Sequence, residues 1–123
     1  MNMKLLIVDD SELIRTRLLR LLNGIPGIEA IHTADTLAQT LESVRRVSPR
    51  LVILDLHLSD GNSVQIINTL KQLEPGMKVA ILTNDASEFN RRKCLETGVD
   101  WFFDKSNELE NLLEVVRKEA GQN

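Results

Sequence analysis

Four short runs of uninterrupted apolar residues, Leu5–Val8, Leu51–Leu54, Val79–Leu82 and Trp101–Phe103, recur along the chain, and each runs straight into polar residues. A strand with one face in water alternates apolar and polar side chains, whereas continuous apolarity belongs to a strand covered on both faces. Ile28–Thr33 reads as a fifth strand, and its Glu29 and His32 suit a place at a sheet edge. Helical spacing fills the gaps: Ile14, Leu18, Leu21, Leu22 and Ile25; Leu37, Leu41, Val44 and Val47; Val64, Ile67 and Leu70; Leu109, Leu112, Leu113 and Val116. Ala86, Phe89, Lys93 and Cys94 form a weaker helical stripe, with Arg91 and Arg92 on its outer side. Turn formers fall between these segments at Gly24–Gly27, Ser48-Pro49, Pro75-Gly76 and Gly98, and Ser11, Thr36 and Asn107 stand as caps or first-turn residues. Strands alternating with helices through short connections predict an α/β sandwich with a parallel sheet and right-handed crossovers.

The 123 residues fit one domain, and 42% hydrophobic with 27% charged residues is a globular composition able to bury a core. Lys and Arg total 15 against 18 Asp and Glu, a net charge of −3 that offers no positive field for nucleic acid or an anionic membrane. Neither partner is expected. Cys94 is the single cysteine, which excludes an internal disulfide and suits a buried apolar position in a cytoplasmic protein. Met1–Val8 is too short for a signal segment, and no apolar run approaches the length of a membrane span.

The polar residues that end the strands carry the functional information. Asp9 and Asp10 follow Leu5–Val8, Asp55 follows Leu51–Leu54 and Thr83 follows Val79–Leu82, while Lys105 stands just past Trp101–Phe103. In a parallel sheet these ends open onto one edge, where open α/β folds place their ligands. Three crowded carboxylates repel one another unless a cation sits among them, and hard oxygen ligands suit Mg²⁺. Lys105 and Thr83 supply an ammonium and a hydroxyl for phosphoryl oxygens, and Asp55, near the middle of the chain, is the natural nucleophile for an acyl phosphate.

The stretches LLIVDDS, LVILDLHLSDG, VAILTN and WFFDKS, in this order, resemble the receiver domain of two-component response regulators over nearly the whole chain. The resemblance implies a flavodoxin-like (βα)5 fold, a five-stranded parallel sheet of order 2-1-3-4-5. It implies Mg²⁺-dependent transfer of a phosphoryl group from a histidine kinase or phosphotransfer protein onto Asp55. Asp10 then ligates the metal directly, Asp9 acts mostly through water and His57 offers its backbone carbonyl. Thr83 and Lys105 bind the phosphoryl group, and Phe102 stands at the switch aromatic, a position that a simple core residue fills as well. The expected protein is a stand-alone receiver domain over 1–123 without an output domain, not an enzyme. It is a monomer or weak dimer that switches a downstream target protein. Arg15, Arg17 and Arg20, and likewise Arg91, Arg92 and Lys93, read as solvated helix faces or partner contacts.

Several positions depart from the family pattern. Ser106 replaces a proline that often follows a cis bond, Ser59 stands for a frequent proline and Ser63 for a frequent glycine. Asn84 replaces a small residue, and His57 and Asp85 occupy two positions that tune dephosphorylation in the family. Two other readings compete. An aspartyl-nucleophile phosphatase needs a second acid two residues after the nucleophile, where this chain has His57; a receiver-like interaction module working without phosphorylation has no need of Asp9, Asp10, Asp55, Thr83 and Lys105 together.

Overall fold

A computed structural model describes residues 2–121; the expected domain ends at Met1 and Gln122-Asn123 lie outside the described residues. Five strands, β1 (Met3–Val8), β2 (Ile28–Ala34), β3 (Leu51–Leu54), β4 (Lys78–Thr83) and β5 (Trp101–Asp104), alternate with α1 (Glu12–Leu22), α2 (Leu37–Val47), α3 (Ile67–Leu73), α4 (Glu88–Glu96) and α5 (Leu109–Ala120). All strand pairs in the main sheet are parallel, in the order β2-β1-β3-β4-β5. The flavodoxin-like topology agrees with the expectation. No helix among the described residues is long and apolar enough to cross a membrane.

The continuous apolar runs are explained by a core on each face of the sheet. Leu6, Val8, Val52, Leu54, Val79, Ile81 and Phe102 point into one layer with residues of α2, α3 and α4. Their chain neighbours Leu5, Ile7, Leu51, Ile53, Ala80, Leu82 and Phe103 point into the other, against α1 and α5. A period of two therefore survives in the structure although both faces are apolar. Truncating one of these fully buried leucines costs about 2 to 5 kcal/mol in comparable cores. At the edge, β2 is only half-buried, as its Glu29 and His32 suggest.

Side-chain caps start three helices. Ser11, Thr36 and Ser87 accept the backbone N–H of Ile14, Gln39 and Asn90 at 3.3, 3.0 and 3.1 Å. Asp60 reaches across from another segment and accepts the N–H groups of Leu37 at 2.8 Å and Ala38 at 3.2 Å, bonds that hold its carboxyl below the usual range. Asn107 is not a cap, contrary to the sequence reading. The residue flanking α5 is Glu108, whose carboxylate accepts instead from the N–H of Asp104 at 2.9 Å. Sequence periodicity also misses a two-residue antiparallel pair, His57–Leu58 with Gly61–Asn62, and the 3₁₀ turn Ser63–Ile66 that holds Val64 ahead of α3. Peptide bonds among the described residues are trans, including Lys105–Ser106.

Gly27 shows what the close packing of helix ends demands. Its φ is +95°, and a Cβ there would stand 2.2 Å from the carbonyl oxygen of Ala120 at the end of α5. Gly24 shares the left-handed backbone, at φ +93°, but has open space around it. Gly24→Ala should cost about 1 to 2 kcal/mol from backbone strain alone, and Gly27→Ala at least about 3 kcal/mol because the backbones must part. Urea unfolding of the two variants checks the difference; equal losses would contradict the packing argument.

Candidate functional site

Strand register delivers the polar residues to one edge. Val8 pairs with Leu54 and Ala34, so Asp9 and Asp55 emerge side by side; Thr83 pairs with Asp104, so Lys105 follows directly. Asp55 N–H donates to the Val8 carbonyl at 2.9 Å, and Lys105 N–H to the Thr83 carbonyl at 2.9 Å, continuing the ladder past the last paired residues. Asp9, Asp55 and Thr83 are buried, while Asp10 is exposed.

The Lys105 ammonium sits between two carboxylates, with Nζ 2.6 Å from Asp9 Oδ2 and 3.1 Å from Asp55 Oδ2. Asp9 is committed on every side. Its Oδ1 accepts the N–H of Ser11 at 2.9 Å and its carbonyl accepts from Arg15 Nη1 at 2.6 Å. Asp55 Oδ1 accepts the N–H of Leu56 at 2.8 Å. Burial pushes the Asp55 carboxyl up; the Lys105 charge opposes this and the neighbouring Asp9 charge adds to it. For Lys105, burial alone would depress the ammonium, but the bond to Asp9 and the charges of Asp55 and Asp9 outweigh it and raise the pKa.

Asp9, Asp10 and Asp55 each bring a carboxylate oxygen within 4.8 Å of the others. Three carboxylates against one ammonium leave two negative charges uncompensated, which fits a divalent cation, and an all-oxygen donor set fits a hard one. Both carboxylate oxygens of Asp9 are already engaged, by the Ser11 N–H and by Lys105 Nζ, whereas the carboxylate of Asp10 is exposed.

Beside this cluster lies a cavity of about 310 Å³ lined by Asp55, His57, Thr83, Asn84, Asp85 and Lys105. A larger hollow of about 580 Å³ lies around the α1–β2 turn, but its lining brings no nucleophile together with a cation-binding cluster. The His57 ring turns away from the acidic cluster, its Nε2 lying 2.7 Å from Asp85 Oδ2, a bond that holds the Asp85 carboxyl below its ordinary value. Asp85 N–H also donates to Thr83 Oγ1 at 3.0 Å, which leaves the threonine hydroxyl proton free for another acceptor. Phe102 is only 4% exposed, its ring packed inward.

Two supporting side chains escape sequence reasoning. Ser63, fully buried, donates its hydroxyl to the Asp55 carbonyl and its N–H to the Leu56 carbonyl at 2.8 Å, fastening the nucleophile's own turn. Arg91, read from sequence as part of an outer helix face, is half-buried and bonded to β5 and to Glu108. No local pattern marks either contact, because the partners lie seven or more residues away.

A family model described as the response regulator receiver domain matches residues 5–117. The response regulator GacA of Pseudomonas aeruginosa is 27% identical over 120 residues, which span 97% of this chain and 56% of that protein. A putative transcriptional regulator of the same species is 36% identical over 110 residues, 89% of this chain and 53% of the relative. The chain thus spans about half the length of these relatives. Among solved structures, a CheY-like response regulator receiver domain protein from Methanospirillum hungatei has a TM-score of 0.86 at 26% identity, covering 98% of this chain and 94% of that one. The beryllofluoride-activated receiver domain of NtrC4 has a TM-score of 0.82 at 27% identity, with 95% and 94% covered. Since the family model spans residues 5–117, the chain belongs to the response regulator receiver domains.

Proposed function

We propose that residues 1–123 act as one phosphoacceptor unit in which Asp55 takes a phosphoryl group from a histidine kinase or phosphotransfer protein and changes the surface offered to a downstream target. The observation that carries this reading is the Lys105 ammonium held 3.1 Å from Asp55 Oδ2, at a cavity that Thr83 also lines. A carboxylate oxygen of Asp55 attacks phosphorus, the bond from phosphorus to the donor's leaving atom breaks with its electron pair, and an acyl phosphate remains on Asp55. Lys105 exchanges a carboxylate partner for a phosphoryl oxygen, and the free proton of Thr83 Oγ1 meets another.

Asp10, Asp55 and the backbone carbonyl of His57 would hold Mg²⁺, with Asp9 acting through water. When bound, that ion supplies neutralisation of the charge spread over the phosphoryl oxygens. The phosphatase alternative lacks support at position 57, where the side chain is a histidine paired with Asp85. The NtrC4 relative is a beryllofluoride-activated dimer, so beryllofluoride is a suitable mimic for asking whether this chain also dimerises.

Intact mass after incubation with acetyl phosphate tests the assignment. Wild type with Mg²⁺ should gain one phosphoryl group, and Asp55→Asn none; an undiminished adduct on the variant, or none on wild type even with a kinase donor, would overturn it.

A thermal measurement follows from the same charge imbalance. A carboxyl whose pKa rises on folding favours the fold when protonated, so stability is lost as pH rises through the raised value. At neutral pH without divalent ions, Asp55→Asn should therefore raise Tm by about 3 to 5 °C, equivalent to about 1 kcal/mol. Millimolar MgCl₂ should raise the wild-type Tm and move the variant much less, read by calorimetry with and without chelator.

A further inference from the structure

The turn that follows Asp55 carries the main-chain carbonyl of His57 and has little to fix its shape from within. His57 and Leu58 pair with Asn62 and Gly61 over only two positions, and a ribbon so short is not stable by itself. Ser59 and Asp60 form its tip, with no proline there to set the backbone. At its base, Ser63 bonds back to the carbonyls of Asp55 and Leu56 and closes the segment into a loop.

The tip is held from outside, by α2. Asp60 Oδ1 accepts the N–H of Leu37 at 2.8 Å and its Oδ2 the N–H of Ala38 at 3.2 Å, across 23 and 22 residues of sequence. N–H groups of a first helical turn have no partner within the helix, and the positive end of the helix dipole favours a carboxylate. The helix also has a cap of its own, because Thr36 Oγ1 accepts the N–H of Gln39 at 3.0 Å. Asp60 therefore adds to a helix start that is already capped, and what its two bonds fix besides is the hairpin. Packing follows the same line. Leu58 is buried in one cluster with Leu37, and a Cβ on Gly61 would stand 3.0 Å from Leu37 Cδ1, so the hairpin lies directly on the first residue of α2.

We propose that Asp60 is a positioning residue of the cation site: by tying the hairpin tip to the start of α2, it holds the His57 carbonyl where a divalent ion bound by Asp10 and Asp55 meets it. The proposal rests on the reading of Asp10, Asp55 and the His57 carbonyl as Mg²⁺ ligands. Asp60 itself lies outside that set, since both of its oxygens are taken by α2. The coupling runs in both directions, because an ion that favours one hairpin position favours the contact that maintains it. Cation binding thus steadies the first turn of a helix from which no ligand comes.

Titration of the full, unphosphorylated chain with MgCl₂, followed by amide chemical shifts, reads the affinity without any phosphoryl transfer. Asp60→Ala should weaken Mg²⁺ binding by about tenfold, the lower end of what supporting contacts around a metal site contribute. Thr36→Ala is the control: it removes a cap from the same helix end, leaves the hairpin bonded, and should bind Mg²⁺ as wild type does. In wild type, saturating Mg²⁺ should slow hydrogen exchange at the Leu37 and Ala38 amides by about the same factor of ten, since the coupling is reciprocal, and in Asp60→Ala that slowing should vanish. Equal affinity in Asp60→Ala and wild type, an equal loss in Thr36→Ala, or exchange at Leu37 and Ala38 that ignores Mg²⁺ in wild type would each overturn the proposal. Should Asp60→Ala not fold, Asp60→Asn, which keeps one acceptor oxygen, carries the comparison with a loss of about threefold. Asp10→Asn tells the two readings apart. If wild type does not titrate, or Asp10→Asn titrates as wild type does, the ligand assignment fails and the proposal with it; if only Asp10→Asn loses binding, the assignment stands and the role of Asp60 alone falls.

Discussion

The contact of the Lys105 ammonium with Asp9 and Asp55 is the interaction on which the site depends. Burial and the adjacent Asp9 charge favour the protonated form of Asp55, and the Lys105 ammonium opposes both, keeping the carboxylate available as a nucleophile. The lysine reaches both because β5 lies in register with β4, so that Lys105 leaves the sheet where its N–H still bonds to Thr83. Compensation is partial: one ammonium cannot neutralise Asp9, Asp10 and Asp55, and the remaining negative charge is what a divalent ion would meet there. The same excess opposes folding, so binding chemistry and stability pull against each other at this edge.

Residues around that contact divide into those that fix geometry and those left adjustable. Ser63 and the N–H of Leu56 hold the main chain and one carboxylate oxygen of Asp55, and Ser11 and Arg15 hold Asp9. Thr83 is different, because its hydroxyl is tied only by the N–H of Asp85, itself on an exposed loop. The His57–Asp85 pair closes one side of the cavity with two half-exposed side chains, 54% and 52% accessible, and an ion pair so exposed adds little to stability. Its consequence is local: it places the Asp85 loop, and with it the N–H that Thr83 Oγ1 accepts.

Sequence patterning reaches the sheet, the helices and the acidic edge because each has a short-range signature. The continuous apolarity of Leu51–Leu54 reads as a strand covered on both faces, and Asp55 then lies at its end. Asp9, Asp10, Asp55, Thr83 and Lys105 stand at strand ends, so parallel pairing alone brings them together. Contacts between elements carry no such signature. Asn107 has the chemistry of a cap, yet Glu108 borders α5 because Arg91, 17 residues away, and the Asp104 N–H hold its carboxylate. The pairing of His57 with Asp85 spans 28 residues and depends on how two loops meet above the sheet.

The distribution of apolar packing also decides which parts of the molecule can answer a change of charge at Asp55. β1 and β3 lie between two buried layers, and shifting either would open cavities on both sides at once. Motion is confined to elements whose attachments are few and polar, since hydrogen bonds can be exchanged for other hydrogen bonds without creating voids. α4 meets that condition, with one buried residue and an arginine that bonds to the backbone of the very strand carrying Phe102 and leading to Lys105. The phosphoacceptor edge and α4 are therefore coupled through Lys105 and β5 on one side and through Thr83, Asp85 and Asn90 on the other. A rearrangement that satisfied a phosphoryl group at Thr83 and Lys105 would draw on both routes together, because the sheet between them is packed on both faces.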